Sequence, residues 1–466
     1  MPHADLSVLG RLPTLGSVSI LLVVGILLAH GDWQGAGKFA IIAFVLFSTL
    51  AAPQTLDFIA MLAFLSAAMP FFNAAGTVNS YRWAVLVIFA LGLILRNSMG
   101  VSGSRWHPFQ FSLGLFVCWA LISSTYSVNS LLTILKAGAF GCLLLGSLLN
   151  GRLESHAGPE APCKIIDHLF WCALLVGAGC VLAFVGILPR GWWNYFEGPF
   201  GNPNFLAAFI PFIAPVLVLR LFQSAKKAPL VRVLNFAFAA MFLAFLVMSG
   251  SRTGMIATFV GCAWFLYFSS RKAFGWFVTV GFLAAVILVA YFPAFLGSLN
   301  QTYVEKGGSR VLQSRQKLLE DSWAAATESP ILGVGFGATK GASEDWQFSF
   351  ASVGSGREKV NSFLGLVEEV GLVGAALLLY PLTWIVLNSV RRLELIQKFH
   401  SAGGEFWPVL TLSACLVGGL TDSMAEGWLT ATGMFAAVMF WLIYGVLSAR
   451  LLMPFRALER EMAAGR

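Results

Sequence analysis

Residues 233–268 read VLNFAFAAMFLAFLVM-SGSRTG-MIATFVGCAWFLYF, two apolar runs joined by a hexapeptide whose single charge is Arg252. A hydrocarbon core of about 30 Å takes an apolar helix of about 20 residues to cross it. The pair therefore reads as two membrane helices meeting in a tight turn. A charged side chain beside a lipid-facing run is costly and usually has a task. What Arg252 is for depends on the rest of the chain.

Outward from this hairpin the pattern repeats. The 466 residues are 58% hydrophobic and 11% charged, with a mean hydropathy of +0.79. Water-soluble domains carry about 25% charged residues, so this composition cannot cover a soluble globule. An all-α polytopic membrane protein follows, with the whole of 1–466 as one integral membrane unit. Apolar runs predict helices at 14–30, 39–52, 55–72, 83–96, 110–124, 129–149, 166–187, 204–221, 233–249, 253–270, 274–294, 361–389, 407–421 and 427–448. Several are short, so the expectation is 12–14 transmembrane helices.

The N-terminus MPHADLSVLGRLPTLGSVS runs directly into LLVVGILLAH, which predicts a retained first helix rather than a cleaved signal peptide. The net charge of +8 invites a nucleic-acid reading, but its distribution points to topology. With both termini in the cytoplasm, Arg96, Arg105, Arg152, Lys164, Arg220, Lys226, Lys227, Arg232, Arg271, Lys272, Arg391, Arg392 and Lys398 fall on inside loops. Arg450, Arg456, Arg460 and Arg466 fall on an inside tail, and the short outside loops hold only Lys38, Arg82, Arg190 and Arg252. That asymmetry obeys the positive-inside rule and argues against a nucleic-acid partner. Seven cysteines, six of them within apolar runs, show no zinc spacing and suggest neither a metal nor a disulfide framework.

One segment, 295–360, breaks the run of short loops on the outer side and carries seven basic residues. Within it VLQSRQKLLEDSWAAATES places Leu312, Leu319, Trp323 and Ala326 at near-helical spacing before Pro330. An amphipathic helix lying along the outer membrane face is expected.

Four outward features carry chemistry. In EGPFGNPNFLAAF (197–209), Asn202 and Asn204 sit where a helix begins, and each fits either a cap or a ligand contact. In SGSRTG, Ser251 and Arg252 could together hold an anion, the guanidinium fork being suited to phosphate, although an arginine snorkelling to headgroups fits the same position. Arg310, Arg315 and Lys317 line the loop helix, followed by Gly333-Val334-Gly335-Phe336-Gly337, a turn able to offer amides to phosphate, Gly335 at its centre. In EKVNSFLGLVEEVGLVG (358–374), Asn361 starts a helix bearing Glu368 and Glu369, at least one of which must face a cavity or a basic partner.

GPFGNPNFLA, SGSRTGMIA, the arginine fourteen residues before PILGVGFG, and NSFLGLVEEVGLVG resemble, in that order, segments of the O-antigen ligase and polymerase superfamily of envelope glycosyltransferases. The resemblance implies metal-independent, cofactor-free, inverting transfer of a glycan from an undecaprenyl-diphosphate-linked donor to an acceptor at the periplasmic face of the bacterial inner membrane. It makes 295–360 a periplasmic loop. Arg252 and Arg315 match arginines of the family thought to hold the diphosphate. The glycan acceptor is a lipid-linked repeat unit for a polymerase, or lipid A core or protein for a ligase.

One position departs. Ligases of the family show His-Asn where this chain has Val360-Asn361, and of the six histidines only His30 falls near the outer face. The base is then sought among Glu358, Glu369, Asp422 and Glu426. The missing histidine favours a polymerase over a ligase. From another class, a precursor transporter or flippase remains an alternative, although internal repeats are not evident; a purely structural subunit would leave the two arginines without a role.

Overall fold

A computed structural model describes residues 56–69, 84–94, 106–156, 163–188, 195–224, 228–291, 309–339, 359, 361–398 and 405–453, with the side chains at 282, 284–291 and 309–315 outside the description. The helices expected at 14–30 and 39–52 lie outside the described residues, and so does most of 295–360. The described chain is all helix and turn. Its helices are α1 (Leu56–Ala67), α2 (Ala84–Ile94), α3 (Pro108–Ile122), α4 (Ser130–His156), α5 (Lys164–Phe184), α6 (Pro203–Ser224), α7 (Pro229–Met248), α8 (Arg252–Ser269), α9 (Arg271–Tyr291), α10 (Ser309–Glu328), α11 (Ser362–Lys398), α12 (Phe406–Ser423) and α13 (Phe435–Leu451). Six of them, α3, α4, α5, α6, α7 and α11, are long and apolar enough to cross a membrane. The chain is a polytopic membrane protein.

Two corrections to the expected elements matter for the site. The last helix begins at Phe435 rather than at 427, because residues 424–434 form a turn closed by its own backbone hydrogen bonds, Glu426 N–H to Asp422 O among them. On α10 the face packed against protein is the small one, Ser322, Ala325 and Ala326, while Leu319 and Trp323 are exposed.

The core is a close-packed set of α6, α8, α12, α4 and α13, with α13 buried along its whole length. Prolines within helices have a visible consequence here. A proline cannot donate to the carbonyl four residues back, and Pro381 in α11 thereby releases Leu377 O, which accepts from Ser112 Oγ at 2.7 Å. Pro211 in α6 likewise leaves Ala207 O to face α8 at Gly254, where an added Cβ would lie 2.6 Å from Ala207 Cβ and 2.8 Å from its oxygen. Only glycine allows α6 and α8 this approach, the small-residue packing typical of membrane helices.

Charges sort to the two ends of the bundle. At one end Arg220 pairs with Asp167, Arg392 with Glu405, and His168 Nδ1 lies 3.0 Å from Asp57 Oδ2. Arg450, expected on the inside tail, is buried within this end, in the electrostatic reach of Glu154. At the other end gather the starts of α6, α8, α11 and α13 and the ends of α3, α7 and α12. Hydrogen bonds join them: Phe196 N–H to Met248 O at 3.1 Å, Val128 N–H to Val334 O at 3.4 Å, and Asn361 Nδ2 to Met424 O at 2.6 Å.

Candidate active site

The SGSRTG turn closes α7 and opens α8. Gly250 takes φ of 64° to reverse the chain, and Ser251 caps α8, its Oγ accepting from Gly254 N–H at 3.4 Å. Arg252 is the first residue of that helix, exposed, with no carboxylate partner among the described residues. A guanidinium at a helix N-terminus adds its charge to the positive end of the helix dipole. This corner is chemically suited to an anion.

The segment before α6 is bound to the same corner. Phe196 stacks on Phe245 with ring centroids 4.7 Å apart, and Phe200 on Phe435 at 5.4 Å. Asn202 resolves as a local cap: its Oδ1 accepts from Asn204 N–H at 2.9 Å. Asn204 stands half-buried on the first turn of α6.

The glycine-rich turn has a different task from cradling an anion in this arrangement. Inside α11, Gly371 adopts φ 65° and ψ −173°, which breaks the helix. Leu372 N–H, which would close a helical turn on Glu368, donates instead to Pro330 O at 2.8 Å. The released carbonyls of Glu368 and Glu369 accept from Val334 N–H and Gly335 N–H, both at 2.9 Å. Phe336 N–H donates to Ser123 Oγ at 3.0 Å, and Tyr126 Oη donates to Leu332 O at 2.8 Å. Irregular backbone at the level of a bundle survives only where protein satisfies it, and here the two breaks satisfy each other. The amide of Gly335, a candidate for substrate, is thus engaged by Glu369. Gly335 has φ of 112°, and a side chain there would overlap Ser127. Burial pushes the Tyr126 hydroxyl above its ordinary pKa.

Beneath this turn lies a charge cluster. Lys359 pairs with Glu369 Oε1, approaches Glu368 Oε2 at 3.9 Å and donates to Ala338 O at 3.4 Å. Lys136 of α4 donates to Gly337 O at 2.9 Å. Glu368 is fully buried and Glu369 nearly so. Two cations and two carboxylates offset one another where an isolated charge would be expensive. Glu369 therefore serves as a paired, inward carboxylate, and its partner is a lysine.

Asn361 caps α11, its Oδ1 accepting from Phe363 and Leu364 N–H at 2.8 and 2.9 Å, while its amide reaches across to Met424 O. Ser362 Oγ donates to Glu426 O at 2.7 Å and accepts from Leu429 N–H at 3.1 Å. Asp422 is buried and accepts from Trp428 Nε1 at 2.8 Å. Glu426, half-buried on the intervening turn, is the most accessible of the three candidate carboxylates whose surroundings are described.

The remaining candidates fall elsewhere. Arg310 and Arg315 lie on the first half of α10, with side chains outside the described residues. Glu358 and Val360 are outside them as well. Two histidines have structural partners: His107 caps α3 and packs on Trp384, burial lowering its pKa, and His168 pairs with Asp57. Residues that the motifs did not single out are Lys359, Ser362, Lys136 and Tyr126. Lys359 had one legible signal, a lysine three residues before the helix that carries two intramembrane carboxylates.

No curated protein matches the chain. Residues 236–379, from α7 into the first half of α11, match the family model described as O-Antigen ligase. That stretch holds Arg252, the glycine-rich turn, Lys359, Asn361 and the Glu368–Glu369 pair, and the match supports placing the chain in the O-antigen ligase and polymerase superfamily of membrane glycosyltransferases.

Proposed function

We propose that the chain is a polymerase: it joins oligosaccharide repeat units carried on undecaprenyl diphosphate into exopolysaccharide or O-antigen, at the periplasmic face of the inner membrane. One observation carries the reading. Arg252, Asn204, Asn361 and Glu426, dispersed over the sequence, gather at the same end of the bundle, and Arg252 and Asn361 lie inside the matched family region.

In the step proposed, the acceptor hydroxyl oxygen attacks the anomeric carbon of the donor sugar from the face opposite the diphosphate. The new C–O bond forms as the bond to the diphosphate oxygen breaks, which inverts the centre. Arg252, with Arg315 from α10 as second cation, takes the charge that grows on the leaving diphosphate; stabilisation of this kind is often the largest catalytic contribution. The hydroxyl proton passes to Glu426, in place of the histidine replaced by Val360. Base catalysis contributes about 10²–10⁴-fold. Asn204 and Ser251 are donors for the bound glycan or phosphate, while Asn202 and Asn361 shape the helix starts around them. The runner-up, transfer of the finished glycan to lipid A core or protein, shares every step but the acceptor.

The test is purified protein in a bilayer, supplied with an undecaprenyl-diphosphate-linked repeat unit, with lipid-linked products resolved by length. A ladder of lengthening lipid-linked chains supports polymerisation. Sugar moved only to added lipid A core makes the chain a ligase. Glycan that crosses the bilayer unchanged in length would overturn both in favour of a transporter.

A further inference from the structure

Lys359 stands at a junction that neither the family motifs nor the chemistry above accounts for. Its ammonium holds Glu369, nears Glu368 and binds Ala338 O at the end of the glycine-rich turn. Its own backbone packs on the 424–434 turn so closely that any side chain at Gly427 would overlap the Lys359 carbonyl. Its stem covers Gly365 one turn into α11, where an added Cβ would lie 2.7 Å from Lys359 Cδ. Two residues on, Asn361 and Ser362 make the hydrogen bonds that hold Met424 and Glu426. One residue therefore ties the glycine-rich turn, by its side chain, and the turn that carries the candidate base, by its backbone, to the first turns of α11.

We propose that Lys359 is a positioning residue: its ion pair with Glu369 sets the distance between the glycine-rich turn and the 424–434 turn, and so places Glu426 against the bound acceptor. This rests on the polymerase reading for its effect on rate, but its geometric content does not. Removing one partner of a buried pair leaves the other charge uncompensated, whereas removing both is often tolerated. The two cases separate folding from positioning.

The experiment compares Lys359→Met, Lys359→Arg and the double variant Lys359→Met/Glu369→Gln, which leaves Lys136 and Glu368 to offset each other, each as full-length protein in bilayer discs, by thermal unfolding and by transfer kinetics. Lys359→Met is expected to lose stability and turnover together. The double variant is expected to recover stability yet keep kcat depressed by on the order of 10²-fold, the effect of misplacing reacting groups by about an ångström, with KM changed far less. Lys359→Arg, which keeps the charge, is expected to recover most of kcat. A double variant that regains wild-type kcat along with its stability overturns the proposal. An arm independent of activity uses spin labels at the exposed positions Leu332→Cys and Met424→Cys, with the exposed Cys118 changed to Ser. One narrow distance distribution is expected, broadened in the double variant, and an unchanged distribution overturns the proposal. If wild-type protein transfers no glycan, the polymerase reading falls and the label distances still decide the role of Lys359.

Discussion

Gly335 donates its amide hydrogen to the carbonyl of Glu369 at 2.9 Å, a bond that joins the turn after α10 to the kink of α11. It exists because Gly371 breaks α11 two residues further on and releases that carbonyl. Loop and helix are each irregular where they meet, and each supplies the groups that the other lacks.

Gly371→Ala should therefore act on both. The new Cβ would overlap the Ile331 carbonyl, and alanine tolerates φ of 65° poorly. A loss of about 1–3 kcal/mol is expected for the strained conformation alone. Tryptophan-fluorescence unfolding in detergent measures it, and proteolysis of the 309–339 segment should accelerate in parallel. Equal protease resistance in variant and wild type would separate the loop from the kink.

Arg252→Ala should leave unfolding unchanged, since the side chain is exposed and has no carboxylate partner among the described residues. Turnover should fall by on the order of 10²–10³-fold, the usual effect of removing one donor from a charge-stabilising site. Arg252→Lys keeps the charge without the fork and should fall between the two. Wild-type turnover in Arg252→Ala would remove the diphosphate from this corner.

Gly254→Ala should separate α6 from α8, because the Ala207 methyl and carbonyl already occupy the space a Cβ needs. Overpacking of this kind costs about 1–3 kcal/mol, and Arg252, two residues away, should move with the helix. Gly275→Ala is the matched control: nothing lies within 4 Å of a Cβ there. Comparable destabilisation in both variants would show that the contact between α6 and α8 is not what glycine protects.

Glu426→Gln and Asp422→Asn should diverge. Glu426 is half-buried on a turn, so its amide variant should fold normally, lose about 10²–10⁴-fold in kcat and lose the acidic limb of the pH–rate profile. Asp422 is buried and accepts from Trp428 Nε1, so its variant should lower stability, with the pH profile keeping its shape. An acidic limb that survives Glu426→Gln reassigns the base.

Much of this was legible in the chain. The SGSRTG turn, the entry to α6 and the start of α11 fell within a residue or two of their expected places, because each is an apolar run ended by glycine, proline or a polar cap. Arg252 stood out as a lone charge between two such runs. Lys359 did not: its one signal, a place just before a helix with two intramembrane carboxylates, fits a loop lysine in water as well as one clamped between them. The start of α13 was misjudged because Trp428 and Leu429 are as apolar as the helix after them; they are buried in a turn, not in a span.

By itself the sequence determined that the chain is a helical membrane protein, since transfer of side chains and charges into a bilayer is a local property that sums along the chain. The tertiary structure alone decided which groups meet. A carbonyl released by a positive-φ glycine can accept from any amide that reaches it, and only the packed bundle selects Gly335 for Glu369, Lys359 for its carboxylate, and Asn361 for the turn that carries Glu426.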